Sequence, residues 1–328
     1  MGAETGWTPL HVLKNDAILP GYIKEHSYGE YIFDWSWANF YEKLGEPYYP
    51  KLIHMTPFSP VNSPKFLNAT DSEKRELAKE SFEFYQNSSL TGEHYLFTNP
   101  DEKRILNTLG FTHLKSLQYH FQNKYCSFDD FLSNLRPSRR KMIRKERRKI
   151  AESELSIESF TGDSVTVQLL DKFYSFYLAT INKKQSFPYL NRELFRSLSI
   201  LGDKNIIISS ASLKDKTVAM ALFFEGKDTL FGRYWGILPE FEDQFPGLHF
   251  ELCYYQGIDY CIENQLSLFE AGAQGEHKLW RGFEPVQINS FHHIKSPELY
   301  EIIKNDISRQ NQLNDQYLAK LRQYLPYK

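Results

Sequence analysis

The chain has 328 residues, about twice the usual single-domain length, and at 41% hydrophobic and 16% aromatic residues it is too apolar for a disordered protein. Lys and Arg number 39 against 41 Asp and Glu, a net charge of -2, which excludes wrapping of nucleic acid by bulk charge but not a local basic patch. No run approaches the roughly 18 apolar residues of a membrane span, Glu4, Asp16 and Glu25 break the start against a signal peptide, and three cysteines without a CxxC pair fit a reducing cytoplasm.

Residues 7–14 alternate as a strand does, and residues 28–49, dense in aromatics such as Trp35, Trp37, Phe40 and Tyr41, predict a helix between loops. Pro47, Pro50, Pro57 and Pro60 forbid regular helix across the next stretch. Residues 71–86 read as a helix with Ser72 as its cap. A strand is expected over 95–98, a short helix from Pro100 to Gly110, and a strand over 113–121.

Residues 136–149 then hold nine Lys or Arg against the single acid Glu146. Arg136, Arg140, Arg144 and Arg148 recur at four-residue spacing and line one helix face. The segment looks like a boundary, giving a first module over 1–135, a basic linker helix over 136–150 and a second module over 151–328.

In the second half, a strand over 155–160 precedes helices over 165–182 and 192–201. Three β-rich runs, 206–212, 217–225 and 228–236, have short polar connections and predict hairpins. A helix over 247–263, strands over 266–270 and 287–294, and a polar helix over 298–324 complete an α/β chain with mixed sheets. Residues 110–120 overlay residues 282–292 without gaps, which suggests duplication of one module.

Two segments carry the chemistry. The strand end Arg233-Tyr234-Trp235-Gly236 leads into a helix at Gln244-Phe245-Pro246-Gly247-Leu248-His249. The first turn of a helix leaves backbone N–H groups unpaired, and with the helix dipole they suit a pyrophosphate. Glycine at that entry lets a phosphate approach the backbone closely. The second segment is Glu270-Ala-Gly-Ala-Gln274-Gly-Glu276-His277-Lys278-Leu-Trp-Arg281, a strand that dissolves into a loop rich in ionisable groups, as cleft-lining loops do.

Gln-x-x-Gly-x-(Gly or Ala), after a strand and opening a helix, is the acyl-CoA loop of the GNAT acyltransferases. Residues 244–249 resemble it, with His249 in place of the last small residue. The basic helix followed by a strand looks like the domain junction of FemABX-type transferases, which carry two GNAT-like modules in tandem. Gly232-Arg-Tyr-Trp-Gly, Leu248-His-Phe-Glu-Leu-Cys-Tyr-Tyr-Gln-Gly and Phe269-Glu-Ala-Gly-Ala-Gln-Gly-Glu-His-Lys are similar to one bacterial branch of N-acyltransferases. That branch is the FemAB-like peptidoglycan biosynthesis or recognition proteins. Relatives usually carry further residues ahead of this start, which leaves open a truncated first module.

The resemblance implies a tandem GNAT-like, FemABX-type fold and transfer of an acyl or aminoacyl group to an amine, such as that of a peptidoglycan precursor. The donor would be acyl-CoA or aminoacyl-tRNA, a co-substrate rather than a tightly bound cofactor. Gln244, Phe245, Pro246, Gly247 and Leu248 are candidates for the carrier, and Arg233, Tyr234, Trp235 and Gln274 for the substrate. Transfer to an amine needs a base for the ammonium proton and donors for the developing oxyanion. Glu276 or His277 is the candidate base and Lys278 or Arg281 the candidate donor, with His249 and Glu251 beside them. FemABX enzymes are described as using a lysine, which Lys278 would match. No cysteine or serine lies in a nucleophile motif, so direct attack is expected. Arg139, Arg140, Arg144 and Arg147 are candidates for gripping a polyanion such as the acceptor arm of a tRNA. No metal is expected: His249-Phe-Glu251 matches the HxE of a zinc deaminase but lacks its Pro-Cys-x-x-Cys. The reading from another class is a non-catalytic binder that kept the cleft to recognise a muropeptide or another amine.

Overall fold

The computed structural model describes residues 5–32, 34–201, 205–273 and 275–328. Its strands run in chain order as β1 (Trp7–Pro9), β2 (Val12–Lys14), β3 (Ala17–Leu19), β4 (Tyr22–Lys24), β5 (Lys51–His54), β6 (Gly92–Tyr95), β7 (Thr112–Gln122), β8 (Leu155–Thr161), β9 (Ile206–Leu213), β10 (Lys216–Glu225), β11 (Thr229–Ile237), β12 (Leu268–Glu270) and β13 (Glu284–Ile294). The chain divides into two compact units, residues 1–118 with 286–321, and residues 119–285 with 322–328. This differs from the expected boundaries. The basic helix Pro137–Ala151 lies inside the second unit, and most of the closing helix Pro297–Arg322 lies in the first. The physical reason is that β7 and β13 each give residues to both units, so no single cut along the chain separates them.

In the first unit the strands are ordered β1-β4-β5-β6-β13. β5 and β6 are parallel, and β13 pairs antiparallel with β6. The strand expected over 7–14 is two: Pro9, without an N–H to donate, ends β1, and β2 folds back on β3 as a separate hairpin. The helix Asp71–Asn87 is capped by Thr70 rather than Ser72. The Thr70 side chain accepts from the Glu73 amide while the Glu73 carboxylate accepts from the Thr70 amide, a reciprocal box at the helix start. Leu77 and Ala78 of that helix join Leu19, Phe66, Tyr95 and Phe291 in the core.

In the second unit the order is β7-β12-β11-β10-β9-β8. β9 to β11 form the expected hairpins, β8 pairs antiparallel with β9, β11 and β12 are parallel, and β12 pairs antiparallel with β7. The parallel pairing joins Thr229, Leu230 and Phe231 to Leu268, Phe269 and Glu270. Beyond it β12 stops and β11 continues to Ile237, so the two strands part and one edge of β11 is left open. The helix Val167–Lys183 covers part of that edge, where Thr180 Oγ1 donates to the Trp235 carbonyl at 2.6 Å.

Gly236 makes this approach possible, because a Cβ there would lie 2.0 Å from the Phe176 carbonyl oxygen. Gly236→Ala is expected to force the helix off the sheet and lower stability by about 2–3 kcal/mol, measured by urea unfolding.

The two units share a pattern. Each sets a parallel pair, β5 with β6 or β11 with β12, beside an antiparallel strand, β13 or β7. β7 and β13 are each eleven residues long and follow the left-handed glycines Gly110 (φ 85) and Gly282 (φ 91). The ungapped overlay of 110–120 on 282–292 lays one strand on the other, as a duplication would.

Candidate functional site

The open edge of β11 faces a cavity of about 920 Å³ in the second unit. Its walls are the end of the helix Val167–Lys183, Trp235 and Ile237 of β11, and the helix entry at Phe245, Pro246, Gly247 and Leu248. Gly247 caps the helix with φ 102, a left-handed conformation that favours glycine. The amides of the first turn have no intrahelical acceptor four residues back. That of Leu248 is taken by Phe245 O, and the helix dipole concentrates positive potential at the same end. Lys183 and Lys184 stand on the opposite wall, with Lys183 ion-paired to Glu242. The cavity therefore joins an apolar bed to a rim suited to an anion.

Of the carrier candidates, Phe245 through Leu248 line this cavity. Gln244 is exposed, and its amide donates to the Glu240 carbonyl. Of the substrate candidates, Trp235 lines the cavity, while Tyr234 packs against Tyr177 and Phe195 and Arg233 lies over the Tyr234 ring. Gln274 lies outside the described residues.

The helix that starts at Leu248 is not uniform. Leu248–Phe250 is α, Glu251–Tyr255 is a π-turn and Gln256–Glu263 is α again. Such insertions often sit at functional sites. The π-turn presents Tyr254 to the loop after β12, where the Tyr254 hydroxyl and His277 Nε2 share a hydrogen bond at 2.8 Å. Lys278, 1% exposed, donates from Nζ to the Gly272 carbonyl at 2.7 Å and lies over the Tyr254 ring. No carboxylate among the described residues pairs with it, so burial pushes its pKa down to about 7. Burial also holds His277 below its usual value and His249 down to about 4, so both rings are neutral at pH 7. Desolvation pushes the Cys253 thiol well up, which disfavours its thiolate.

The remaining candidates are placed differently from expectation. Glu276 is exposed. Glu251 is buried and bound to Arg147 at 3.1 Å and to the Gln256 amide at 2.9 Å. Arg281 is also buried. Its guanidinium grips Glu146 through two bonds, 3.1 Å from Nε and 2.6 Å from Nη2, stacks 3.4 Å from the Phe250 ring centroid, and donates to the His277 carbonyl. Arg281 and Glu251 thus hold the turn and the helix in place.

Sequence reasoning missed Glu146, Tyr254 and Lys184. The signal for Glu146 was present: one acid amid nine cations marks the side of the helix that faces protein.

The basic helix is two-sided. Ile143 and Ile150 are buried, and Arg147 faces inward to Glu251 and Asp259, which corrects its reading as a polyanion ligand. Arg139 stacks on Trp280 at 5.0 Å. Arg140 and Arg144 do face outward, with Lys141, Lys145 and Arg148, along a groove of about 400 Å³.

Comparison with known proteins agrees with this architecture. A family model described as peptidoglycan biosynthesis/recognition, FemAB-like, matches residues 1–328. The structure is similar to that of FemX, with a TM-score of 0.56 and 12% identity over 92% of each chain. It is also similar to L-PGS from Bacillus licheniformis, at 0.58 and 9% over 93% of this chain and 89% of that one. A conserved protein of unknown function from Bacteroides thetaiotaomicron gives 0.54 and 12% over 88% and 86%. The fold is the tandem GNAT-like, FemABX-type α/β fold. No curated protein matches the sequence. No helix among the described residues is long and apolar enough to cross a membrane.

Proposed function

The chain belongs to the FemAB-like family of peptidoglycan biosynthesis and recognition proteins, and from that premise we propose that it is an N-acyltransferase acting on an amine, such as that of a peptidoglycan precursor. The phosphorylated end of an acyl carrier lies at the Gly247 mouth of the cavity, with the acyl group directed toward His249. The acceptor nitrogen attacks the acyl carbonyl, the N–C bond forms and the bond to the carrier breaks. Lys278 takes the proton that the acceptor nitrogen loses. The observation that carries this reading is the buried Lys278, paired with no carboxylate among the described residues and linked through the Tyr254 and His249 rings to a cavity with an anion-suited mouth. An amine titrating near neutrality is matched to proton transfer at pH 7.

The carrier favoured by the cavity is coenzyme A. The outward groove of the basic helix favours a second carrier, aminoacyl-tRNA. Thermal melts with coenzyme A, acetyl-CoA, longer acyl-CoAs and charged tRNA test the pair, since a ligand of the folded state raises the melting temperature by mass action. A shift with the CoA species is the expected result. A shift with charged tRNA alone moves the donor to the basic groove, and no shift with any of them rejects a carrier and leaves a recognition protein.

If tRNA binds, its affinity should fall steeply with salt. Replacing Arg140 and Arg144 with Gln should flatten the slope of log K against log salt by about 0.7 for each cation removed. An unchanged slope would take those arginines out of the interface.

A further inference from the structure

His249 stands where the cavity meets the lysine cluster. Its ring lines the cavity beside Leu248 and meets the edge of Trp235 at 5.1 Å. On its other side it contacts Tyr254 at 5.3 Å and His277 at 6.4 Å. Tyr254, His277 and Lys278 themselves do not line the cavity. The imidazole therefore stands between the cavity and the Tyr254–His277 pair on which Lys278 lies.

We infer that His249 is a partition that keeps an activated acyl group in the cavity from reaching the amine of Lys278, so that this lysine accepts protons and not acyl groups. The inference rests on the reading of the cavity as the carrier's seat. An uncharged amine beside a thioester is a competing acceptor. Its nitrogen would attack the carbonyl carbon, an amide bond would form and the C–S bond would break. The departing sulfur would take up the proton released by the nitrogen. The product amide has no basic lone pair, so one such event would end the role of Lys278 as a base. His249 prevents it by bulk, because the ring carries no charge at neutral pH. Lys278 itself is tied to the Gly272 carbonyl and lies over the Tyr254 ring, outside the cavity lining. The side chain that departs from the small residue of the GNAT loop thereby gains a function of its own.

The test uses a small acetyl thioester of N-acetylcysteamine, which needs no recognition of a carrier. Acetylation of Lys278 is followed by peptide mass spectrometry in the full chain and in its His249→Gly and His249→Gln forms, with Lys227, exposed and away from the cavity lining, as the reference. His249→Gly is expected to acetylate Lys278 at least tenfold faster than the native chain, relative to Lys227, while His249→Gln, which keeps most of the bulk, stays near the native rate. An unchanged ratio in His249→Gly overturns the partition, as does a His249→Gln form that reacts as fast as the glycine form. Melting curves of each form show that the comparison is between folded proteins. Failure of the carrier reading appears separately, as the absence of any thermal shift with CoA species in the native chain.

Discussion

Lys278→Met is expected to abolish acyl transfer and at the same time to stabilise the protein at neutral pH. A general base contributes about 10²- to 10⁴-fold to rate, so turnover should fall by at least two orders of magnitude. The stability gain follows from the burial of an amine that pairs with no carboxylate among the described residues. The folded lysine titrates near 7 and the unfolded one at 10.5. Between those values the unfolded chain holds a proton that the folded chain has released, so native stability rises with pH across that window, by up to roughly 1.4 kcal/mol per unit. Below pH 7 both states are protonated and the penalty is fully present. Methionine fills similar space without a charge and removes the penalty. Urea unfolding from pH 6 to 10 should show a slope in the native chain that the variant lacks. A variant less stable than the native chain at pH 7, or one with full turnover, would show that Lys278 is an ordinary structural lysine. The native rate should itself rise with pH through about 7, as the amine becomes free to accept a proton.

The second large effect is expected at Glu146→Ala. Arg281 is buried, and its carboxylate partner holds it through two bonds, with the Tyr255 hydroxyl also accepting from Nε at 3.1 Å. Removing the acid leaves a buried charge unpaired, which costs about 3–5 kcal/mol. Because Arg281 also holds the His277 carbonyl, the turn that carries Lys278 should loosen with it. The double variant Glu146→Ala, Arg281→Met removes the stranded charge and should recover most of the loss. A double-mutant cycle read by urea unfolding measures the coupling. Losses that merely add would mean that the pair is not a unit.

Much of the frame could be read from residues alone. The hairpins from β9 to β11 follow from β-rich runs separated by short polar turns, and the helix Val167–Lys183 from its apolar spacing. The entry at Gly247 was legible because Pro-Gly punctuates strand and helix. What was hidden depends on long-range contact. The Thr70 cap is the exception, since Thr70-x-x-Glu73 is a local box signature that was there to be read in place of Ser72. The π-turn over Glu251–Tyr255 adds no signature to the apolar period of residues 248–263, yet the segment it occupies meets the basic helix through Glu251 and Tyr255. Lys278 sits in a polar loop that reads as solvent-exposed. Its burial comes from a fold that sets the loop over Tyr254, and local sequence carries none of that.

The candidate base also shifted for a physical reason. A carboxylate or an imidazole is the ordinary choice near pH 7, and Glu276 and His277 fit that rule by residue type. Desolvation reverses it: Glu276 stands exposed to water, whereas burial brings the Lys278 amine down toward neutrality.

A crystal structure of the chain soaked with coenzyme A would decide most directly whether this cleft is the seat of a carrier. The account predicts the diphosphate against the backbone at Gly247 and Leu248, with Lys184 at its side and the thiol end stopping at Trp235 and His249. Coenzyme A bound elsewhere on the chain, or a cavity still empty at saturating ligand, would contradict it.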